Sequence, residues 1–560
     1  MRLALWTPGL DPLLSAAVTE APWSSVGVAT DSDPHRCDAT VVVAGAALDA
    51  GLLAELDSLP ADHAVVVAGP GWATAADREV ADRLGLLAGA LSPVHEVRLR
   101  VGRELDPRAG APLLVRDRVV AVDKVADDVA VLATAALGLT EHPVVTRRGR
   151  WAYLGLGCEA ASWDRRDLLR LLVLAARRAG GRPPAPDVRV GLLGYGAIGA
   201  EHLRAVHAVA GLSLAAVVDR NAARTAAAVR DAVAAAAVPV AGDLDHLPAG
   251  GVELATSDVA PLRTGTDADA LLADADVDLV VVSTPPASHH RWARAALEAG
   301  KHVVVEKPMA LTAAECTDLM ARAQAADRML VVYQNRRFDA DYAALAALVR
   351  AGRLGQPFHA ETFVGGYGHP CNFWHSDQEV SGGAMFDWGS HLVDQLLDLM
   401  PGPLTSVTAT DQRLVWHDVT NADHVRLTLH YADGAEATFV YSDLAAALKP
   451  KYYVLGTAGA VVGHWRTERV VARGPVGTLV EDALAPADSP AHLVLHDGDG
   501  SRTDVAVAPA DGLRFHREVA DLLTTGLPMT VTAAQSARVV AVLAAGEVSA
   551  QSGGRPVEVE

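Results

Sequence analysis

The chain has 560 residues, half of them apolar and 21% charged, with a formal net charge of −20. That length allows about three domains with sizeable cores, and an acidic excess spread along the chain argues against nucleic acid or an anionic membrane as the main partner. Cys37, Cys158, Cys316 and Cys371 lie far apart without C-x-x-C spacing, so neither a disulfide framework nor a zinc site is indicated. No uncharged run is long enough to span a bilayer and the N-terminus lacks a signal-peptide design, so a cytoplasmic protein is expected.

Residues 1–180 read as one α/β unit. Its first strand, Met1 to Trp6, is cut off by Pro8 and Gly9. Thr40–Ala44 and Ala64–Ala68 are continuous apolar runs, as strands buried on both faces of a parallel sheet are. Helical patterns lie between and after them. Trp151–Gly155 reads as another strand and Asp167–Arg178 as a closing helix, and the alternation predicts an α/β layer fold. The stretch Arg148–Gly157, with Trp163 and the helix after it, resembles the end of trehalose-utilisation (ThuA-like) domains. These are relatives of the class I glutamine amidotransferases, which implies a flavodoxin-like sheet. An amidotransferase needs a cysteine on a strand-to-helix elbow. Here Ala64–Ala68 runs into Gly69-Pro70-Gly71-Trp72, and Cys158 follows a strand with no convincing base beside it. A non-catalytic binding or assembly role is therefore expected. Gly180–Pro186 has linker composition, Gly for slack and then an extended Pro-rich run, which puts the linker at 181–187.

Next comes a short apolar strand, Val188–Leu193, feeding into Gly194-Tyr195-Gly196-Ala197-Ile198-Gly199 and a helical stretch to Ala210. This strand, glycine turn and helix form the context in which G-x-G-x-x-G binds a dinucleotide. Gly194 permits the tight turn, Gly196 lets the backbone approach a pyrophosphate, and Gly199 lets helix and strand pack closely. Ala197 and Ile198 carry the first amides of the helix, where free N–H groups and the dipole favour phosphate. A second strand, Leu214–Val218, ends at Asp219, twenty residues after Gly199, where a carboxylate would take the adenosine ribose hydroxyls. Asp219 favours NAD because a carboxylate repels a 2′-phosphate, while the adjacent Arg220 leaves NADP possible. Val277–Thr284 is the next strong strand, followed by Pro285 and a helix beginning near His289 and closed by Gly300. His302–Val305 then leads into Glu306-Lys307-Pro308. Strands and helices alternate across 188–335, which predicts a doubly wound parallel Rossmann sheet with ligands at the strands' carboxyl ends.

From about 356 the pattern shifts to antiparallel strands. Val425–Tyr431 alternates strictly, Asp433-Gly434 turns, and Ala437–Tyr441 returns, a hairpin with one polar face. Residues 336–560 are thus expected to form an α+β domain on a large open, mainly antiparallel sheet. Asp387 and His391, spaced i and i+4, share one face of a helix, and an imidazole titrating near neutrality suits proton transfer. Lys307, at a strand's carboxyl end, can stabilise negative charge on a substrate oxygen. Arg336 and Arg337 suit either substrate oxygens or salt bridges, and Asp394 either substrate or an ion pair. His369, Cys371, His375 and Asp377 have metal-donor types but no helical or hairpin spacing, so no metal is expected. Their loop, with Tyr367, Phe373 and Trp374, is better suited to lining a substrate pocket.

In order along the chain, the glycine motif with Asp219, Thr284-Pro285-Pro286 with His289, Glu306-Lys307-Pro308-Met309, Tyr333–Asp339, Gly382–His391 and the stretch Phe515–Pro528 resemble the Gfo/Idh/MocA family of NAD(P)-dependent oxidoreductases. The resemblance spans about 187–560. It implies a catalytic set of Lys307, Asp387 and His391, with His391 the acid/base and Lys307 the alternative proton carrier. It places Thr284, Pro285, His289, Glu306 and Lys307 beside the cofactor. It implies hydride transfer between NAD, or NADP, and a hydroxyl or ketone of a sugar, inositol or related polyol; beside it, the residues themselves offer Arg336, Arg337 and Trp374 as further substrate contacts. It also implies a homo-oligomer formed through the open sheet. Two alternatives stay open: glycosidic cleavage with tightly held NAD, and a non-catalytic dinucleotide-binding sensor. Retention of Lys307, Asp387 and His391 together argues against the sensor.

Overall fold

Five parallel strands begin the N-terminal unit, and their order across the sheet is Ala29–Asp31, Arg2–Trp6, Ala39–Val43, Ala64–Ala68 and Trp151–Leu154. That is the 2-1-3-4-5 order of flavodoxin-like sheets. In the computed structural model the described residues are 2–559 apart from 8–11, 22–28, 32, 45–47, 49, 70–77, 103, 106–112, 138–139, 164–165, 182–185, 237–261, 371–372, 475–476, 485–489 and 509–510. The valine-rich inner strands are buried along their whole length. Four further strands continue the sheet antiparallel: Thr140–Arg148, Ala130–Leu137, His95–Val101 and Leu113–Asp117. The closing helix runs Arg166–Ala179 and is buried nearly all round from Leu168 to Ala176, as a helix with layers on both sides is. One layer is its own sheet. Leu527, far along the chain, packs into the same core, and Arg170 pairs with Asp521 at 2.9 Å with both side chains buried.

The second sheet has six parallel strands in the order Arg263–Gly265, Leu212–Val218, Val188–Leu193, Leu279–Val282, His302–Val305 and Leu330–Val332. Numbered along the chain this is 3-2-1-4-5-6, the doubly wound order, so the connections reverse direction between Val188–Leu193 and Leu279–Val282. Helices Ala197–Ala208 and His289–Glu298 follow the strands on either side of that point, so a crevice opens at the carboxyl ends there.

The third sheet has nine strands and is antiparallel except where Pro357–Gly365 runs parallel to Glu436–Ser442. The expected hairpin pairs His424–Tyr431 with Glu436–Ser442 around Gly434 at φ 83°. Val425, Leu427, Leu429 and Tyr431 point into the core, while Arg426 between them is exposed. Helices Gly383–Leu399 and Ala533–Gln551 pack on the core face. One hydrophobic cluster joins Val280 and Val282 of the second sheet to Phe386, Leu427 and Leu543 of this part, so the helix carrying Asp387 is fixed against the Rossmann strands. Among the described residues no helix is long and apolar enough to cross a membrane.

Candidate active site

The three motif glycines occupy three different surroundings. Gly194 has φ 99°, and a Cβ there would lie 2.5 Å from the Ser283 carbonyl oxygen. A Cβ on Gly199 would meet Gly194 O at 2.6 Å, so helix and strand touch through it. Gly196 has open space where its Cβ would be and stands as N-cap of helix Ala197–Ala208 with no side chain capping the first amides. Ala197 and Ile198 are exposed on that first turn. Tight turn, open approach and unsatisfied N–H groups fit a dinucleotide's pyrophosphate.

Asp219 lies at the end of Leu212–Val218. Its Oδ2 accepts from Tyr195 N at 2.7 Å and its Oδ1 from Asn221 N at 2.8 Å, so it ties the glycine turn to the strand end. A carboxylate has about four acceptor positions, which leaves capacity for ribose hydroxyls. Arg220 is exposed beside it, and Arg224, not singled out in the sequence, comes within 3.6 Å of Asp219.

Thr284 and Pro285 follow Leu279–Val282, and Ser288 Oγ donates to Thr284 Oγ1 at 2.7 Å. His289 is placed differently from the expectation. It is fully buried, and its ring nitrogens lie 2.7 Å from the carbonyl oxygens of Pro308 and Thr284, so it braces the two loops and offers no ring nitrogen to a cofactor. Burial lowers its pKa against the pull of those two carbonyls. Glu306 is also committed: Oε1 to His202 Nε2 at 2.8 Å and Oε2 to Lys307 N at 3.3 Å.

Lys307, joined to Pro308 by a cis peptide bond, stands just past the end of His302–Val305. Its Nζ donates to Asp387 Oδ1 at 2.6 Å and to Asp387 O at 3.1 Å. Both side chains stay partly exposed, 20% and 31%, so the pair faces an opening. Burial alone would raise the Asp387 carboxyl, but the charge and hydrogen bond of Lys307, with His375 and Arg336 behind, hold it below the ordinary carboxylate range. His391, one helical turn on, is buried with Nδ1 lacking a hydrogen-bond partner. Burial first, then the charges of Lys307 and Arg336, push its pKa well below the usual imidazole value. The imidazole is therefore held in its neutral form near pH 7.

Arg336 lies over the Trp388 ring at 4.9 Å and bonds Asp339 at 3.3 Å, near the site. Arg337 does not belong to it. Its guanidinium is buried on Asp394 at 2.5 and 2.9 Å and on Asp398 at 3.1 Å, which also settles Asp394 as an ion-pair partner. Trp374 is partly exposed and stacks on His375 at 3.6 Å. His375, named in the sequence only among metal-donor types, feels both Asp387 and Lys307. Of the other such residues, His369 pairs with Asp418, Asp377 caps helix Gln378–Ser381, and Cys371 lies outside the described residues. Among the described residues no three His, Cys, Asp or Glu side chains converge as metal ligands do.

In the N-terminal unit, burial raises the Cys158 thiol far above its ordinary range, and Asp117 Oδ2 and Oδ1 accept from the amides of Gly157 and Cys158 at 2.7 and 3.2 Å. Such a thiol is inert. A cleft of about 250 Å³ lined by Asp38, Asp62, His63 and Arg177 lies at the amino ends of the parallel strands, opposite the end where open α/β sheets bind ligands.

A doubly wound sheet with this cradle, and a Lys–Asp pair at its carboxyl edge, is the geometry of a dinucleotide-binding crevice. Residues 188–334 match the profile of the oxidoreductase family, NAD-binding Rossmann fold, and residues 342–462 that of the GFO/IDH/MocA C-terminal domain; these stretches are the NAD-binding and C-terminal domains of the GFO/IDH/MocA family. The chain is 36% identical over 168 residues to the uncharacterized oxidoreductase C115.03 of Schizosaccharomyces pombe, covering 30% of this chain and 46% of that protein. It is 28% identical over 286 residues to the scyllo-inositol 2-dehydrogenase (NADP(+)) IolW of Bacillus subtilis, covering 50% of this chain and 78% of that one. Among solved structures, the oxidoreductase yvaA of Bacillus subtilis superposes with a TM-score of 0.54 at 22% identity, covering 67% of this chain and 99% of that one.

Proposed function

We propose that the protein oxidises a secondary hydroxyl of a cyclitol, sugar or related polyol, or reduces the matching ketone, with NAD. The observation that carries this reading is the Lys307–Asp387 pair, 2.6 Å apart, beside a buried His391 at the sheet's carboxyl edge. Gly194, Gly196, Ala197, Ile198, Gly199 and Asp219 would hold the dinucleotide, with Thr284, Pro285 and Lys307 along the crevice, and the bound nicotinamide supplies or takes the hydride. Lys307 holds the substrate oxygen and stabilises charge on it as the proton leaves. His391, neutral at pH 7, takes the hydroxyl proton. Asp387 fixes the Lys307 ammonium. Arg336 and Trp374 border the polyol. Asp219 sets the preference for NAD over NADP, and Arg220 and Arg224 beside it leave NADP as the weaker cofactor. The scyllo-inositol dehydrogenase among the relatives supports a polyol substrate.

The domains divide as 1–180, a non-catalytic ThuA-like unit; 181–187, a linker; 188–335, the Rossmann domain; and 336–560, the substrate-binding domain, whose sheet joins copies of the chain. The 2-1-3-4-5 strand order and the inert Cys158 support the first assignment. The test is to denature the purified protein and look for released nicotinamide, then to follow reduction of NAD and NADP with a panel of inositols, sugars and sugar acids. Steady reduction that Lys307→Ala abolishes is the expected result. Nicotinamide held through purification without turnover of any free polyol would overturn it in favour of glycosidic cleavage.

A further inference from the structure

Behind Lys307 the structure buries a chain of three polar side chains drawn from three elements. Glu306 stands at the end of strand His302–Val305. Its Oε1 lies 2.8 Å from His202 Nε2, on helix Ala197–Ala208, and His202 Nδ1 lies 2.8 Å from His516 Nε2, on helix Arg514–Thr525. His202 is completely buried and the other two nearly so. Tyr333 packs against both imidazoles, with ring centroids 4.5 and 5.4 Å away, and its hydroxyl donates to Glu201 at 2.6 Å. The two bonds are satisfied when His516 Nε2–H donates to His202 Nδ1 and His202 Nε2–H donates to the Glu306 carboxylate. His516 Nδ1 is then an acceptor, and it is the ring atom buried without a partner. Burial and the neighbouring His202 push the His516 pKa well down. An apolar side chain at 516 alone would move the orphan to His202 Nδ1, so the two imidazoles form one unit.

We propose that His202 and His516 are positioning residues for Lys307, acting through Glu306, and that the N-terminal unit steadies them through helix Arg514–Thr525. The inference rests on Lys307 holding the substrate oxygen, as proposed above. Glu306 Oε2 accepts from the Lys307 amide at 3.3 Å, so the carboxylate that His202 fixes also fixes the peptide from which the Lys307 side chain reaches Asp387. His202 sits on the helix whose first turn forms the phosphate cradle. One chain therefore sets the dinucleotide end and the ammonium relative to each other. Five residues beyond His516, Asp521 is bonded to Arg170 of the N-terminal unit at 3.0 Å, and Leu527 is seated in that unit's core. The helix carrying His516 is thus tied to the N-terminal unit.

The experiment uses the full chain with His202→Leu, His202→Gln and His516→Leu. Two readouts are taken: steady-state kinetics on the polyol that the wild type oxidises, and competitive acetylation of the lysines with acetic anhydride, read by mass spectrometry. The chain has only five lysines, and exposed Lys124 serves as the reference. In His202→Leu, kcat falls about tenfold or more, as a small misplacement of a reacting group causes, while KM changes less than about twofold. Lys307, loosened from Asp387, labels severalfold faster relative to Lys124. His202→Gln, whose amide still donates to Glu306, restores most of both, and His516→Leu moves both the same way by less. An unchanged kcat and labelling ratio in His202→Leu overturns the proposal. So does an equal loss in His202→Gln with all five lysines labelling faster, which marks general loosening. If His202→Leu does not fold, His202→Gln and His516→Leu decide by the same criteria. If the wild type oxidises no polyol, the hydride-transfer reading fails, while the labelling ratio still decides whether His202 positions Lys307.

Discussion

Lys307 and Asp387 are eighty residues apart in the chain, yet the ammonium of one lies 2.6 Å from the carboxylate of the other. Lys307 comes from the end of a Rossmann strand and Asp387 from the second turn of the helix Gly383–Leu399, so the pair bridges the two halves of the crevice. Both side chains keep contact with solvent, and such pairs contribute little to folding. Their value lies in the charge they hold at the opening. Lys307→Ala is expected to lower kcat/KM by about 10²–10³, the range for removing a group that stabilises a developing oxyanion, with a melting temperature close to wild type. Asp387→Asn is expected to cost kcat more than it costs KM. Steady-state kinetics beside thermal melts check both. A collapse of the melting temperature in either variant would mark the pair as structural.

With His391 as the proposed base, its titration sets the acid limb of activity. Burial, then Lys307 and Arg336, hold its pKa well below the ordinary imidazole value. As a base it is ready wherever it is unprotonated, so kcat/KM for alcohol oxidation is expected to stay level from pH 8 down through 6.5 and to fall only below that. Arg336→Gln removes one of the charges and is expected to move the limb towards higher pH. A limb that stays put in Arg336→Gln, or that lies above pH 7 in the wild type, would remove His391 from the role.

What the sequence made legible was local. Gly194, Gly196 and Gly199 announce their surroundings because a turn, an open approach and a helix–strand contact are decided within a few residues of chain. The parallel strands declare themselves by unbroken valine runs, and Asp387 and His391 by helical spacing. What stayed hidden was decided at long range. Arg337 beside Arg336 looks like a substrate contact until Asp394 and Asp398 come round on helix Gly383–Leu399 to bury it. His289 looks like a cofactor neighbour until Pro308 and Thr284 close over it. His202 did leave a trace: with Gly199, Leu203 and Val206 it completes a buried helical face, and a histidine on such a face needs partners that only the fold reveals. The antiparallel extension of the first sheet left a trace too, in the strict alternation of His95–Val101, a period that a search for continuous apolar runs passes over.

Stability should fall on mild acidification. His289, His391 and His516 are all buried with pKa values below 6.5, the value of an unfolded imidazole. Below pH 6.5 the unfolded chain takes up protons at these positions and the native one does not, so the unfolded state gains. The loss runs from pH 6.5 down to the depressed native values and is absent above pH 7. Each group contributes up to about 1.4 kcal/mol per pH unit across that window. Urea melts between pH 5 and 8 are expected to show this slope, and His516→Phe to make it shallower. A slope that His516→Phe leaves unchanged would contradict the burial of that ring.

Arg337→Ala should be far more damaging to the fold than Lys307→Ala. It strands Asp394, 1% exposed, with no cation in the core. Burial already raises the Asp394 pKa to about 6 against the pull of Arg337, which shows how poorly that site tolerates the charge. Breaking a buried pair from one side costs about 3–5 kcal/mol. Replacing the pair together, Arg337→Met with Asp394→Leu, is expected to recover much of it. Urea melts of the single and double variants decide. If Arg337→Ala instead melts as wild type with KM raised, the guanidinium is a substrate contact after all.

The glycine turn separates cofactor binding from folding. At Gly194 and Gly199 an added methyl group would press on backbone 2.5 and 2.6 Å away, and at Gly194 it would also force φ 99° on a residue with a Cβ. Strain of that kind costs on the order of 1–3 kcal/mol at each position, so Gly194→Ala and Gly199→Ala are expected to melt early whether or not nicotinamide is present. Gly196 differs because nothing stands within 4 Å of the place its Cβ would take. Gly196→Ala is expected to melt as wild type without ligand, yet to lose affinity for NADH about tenfold or more, because the methyl group stands where a pyrophosphate must meet the helix amides. Fluorescence titration with NADH beside ligand-free melts measures both quantities. If Gly196→Ala binds as tightly as wild type, the pyrophosphate does not lie against this turn, and the crevice must hold the dinucleotide in some other way.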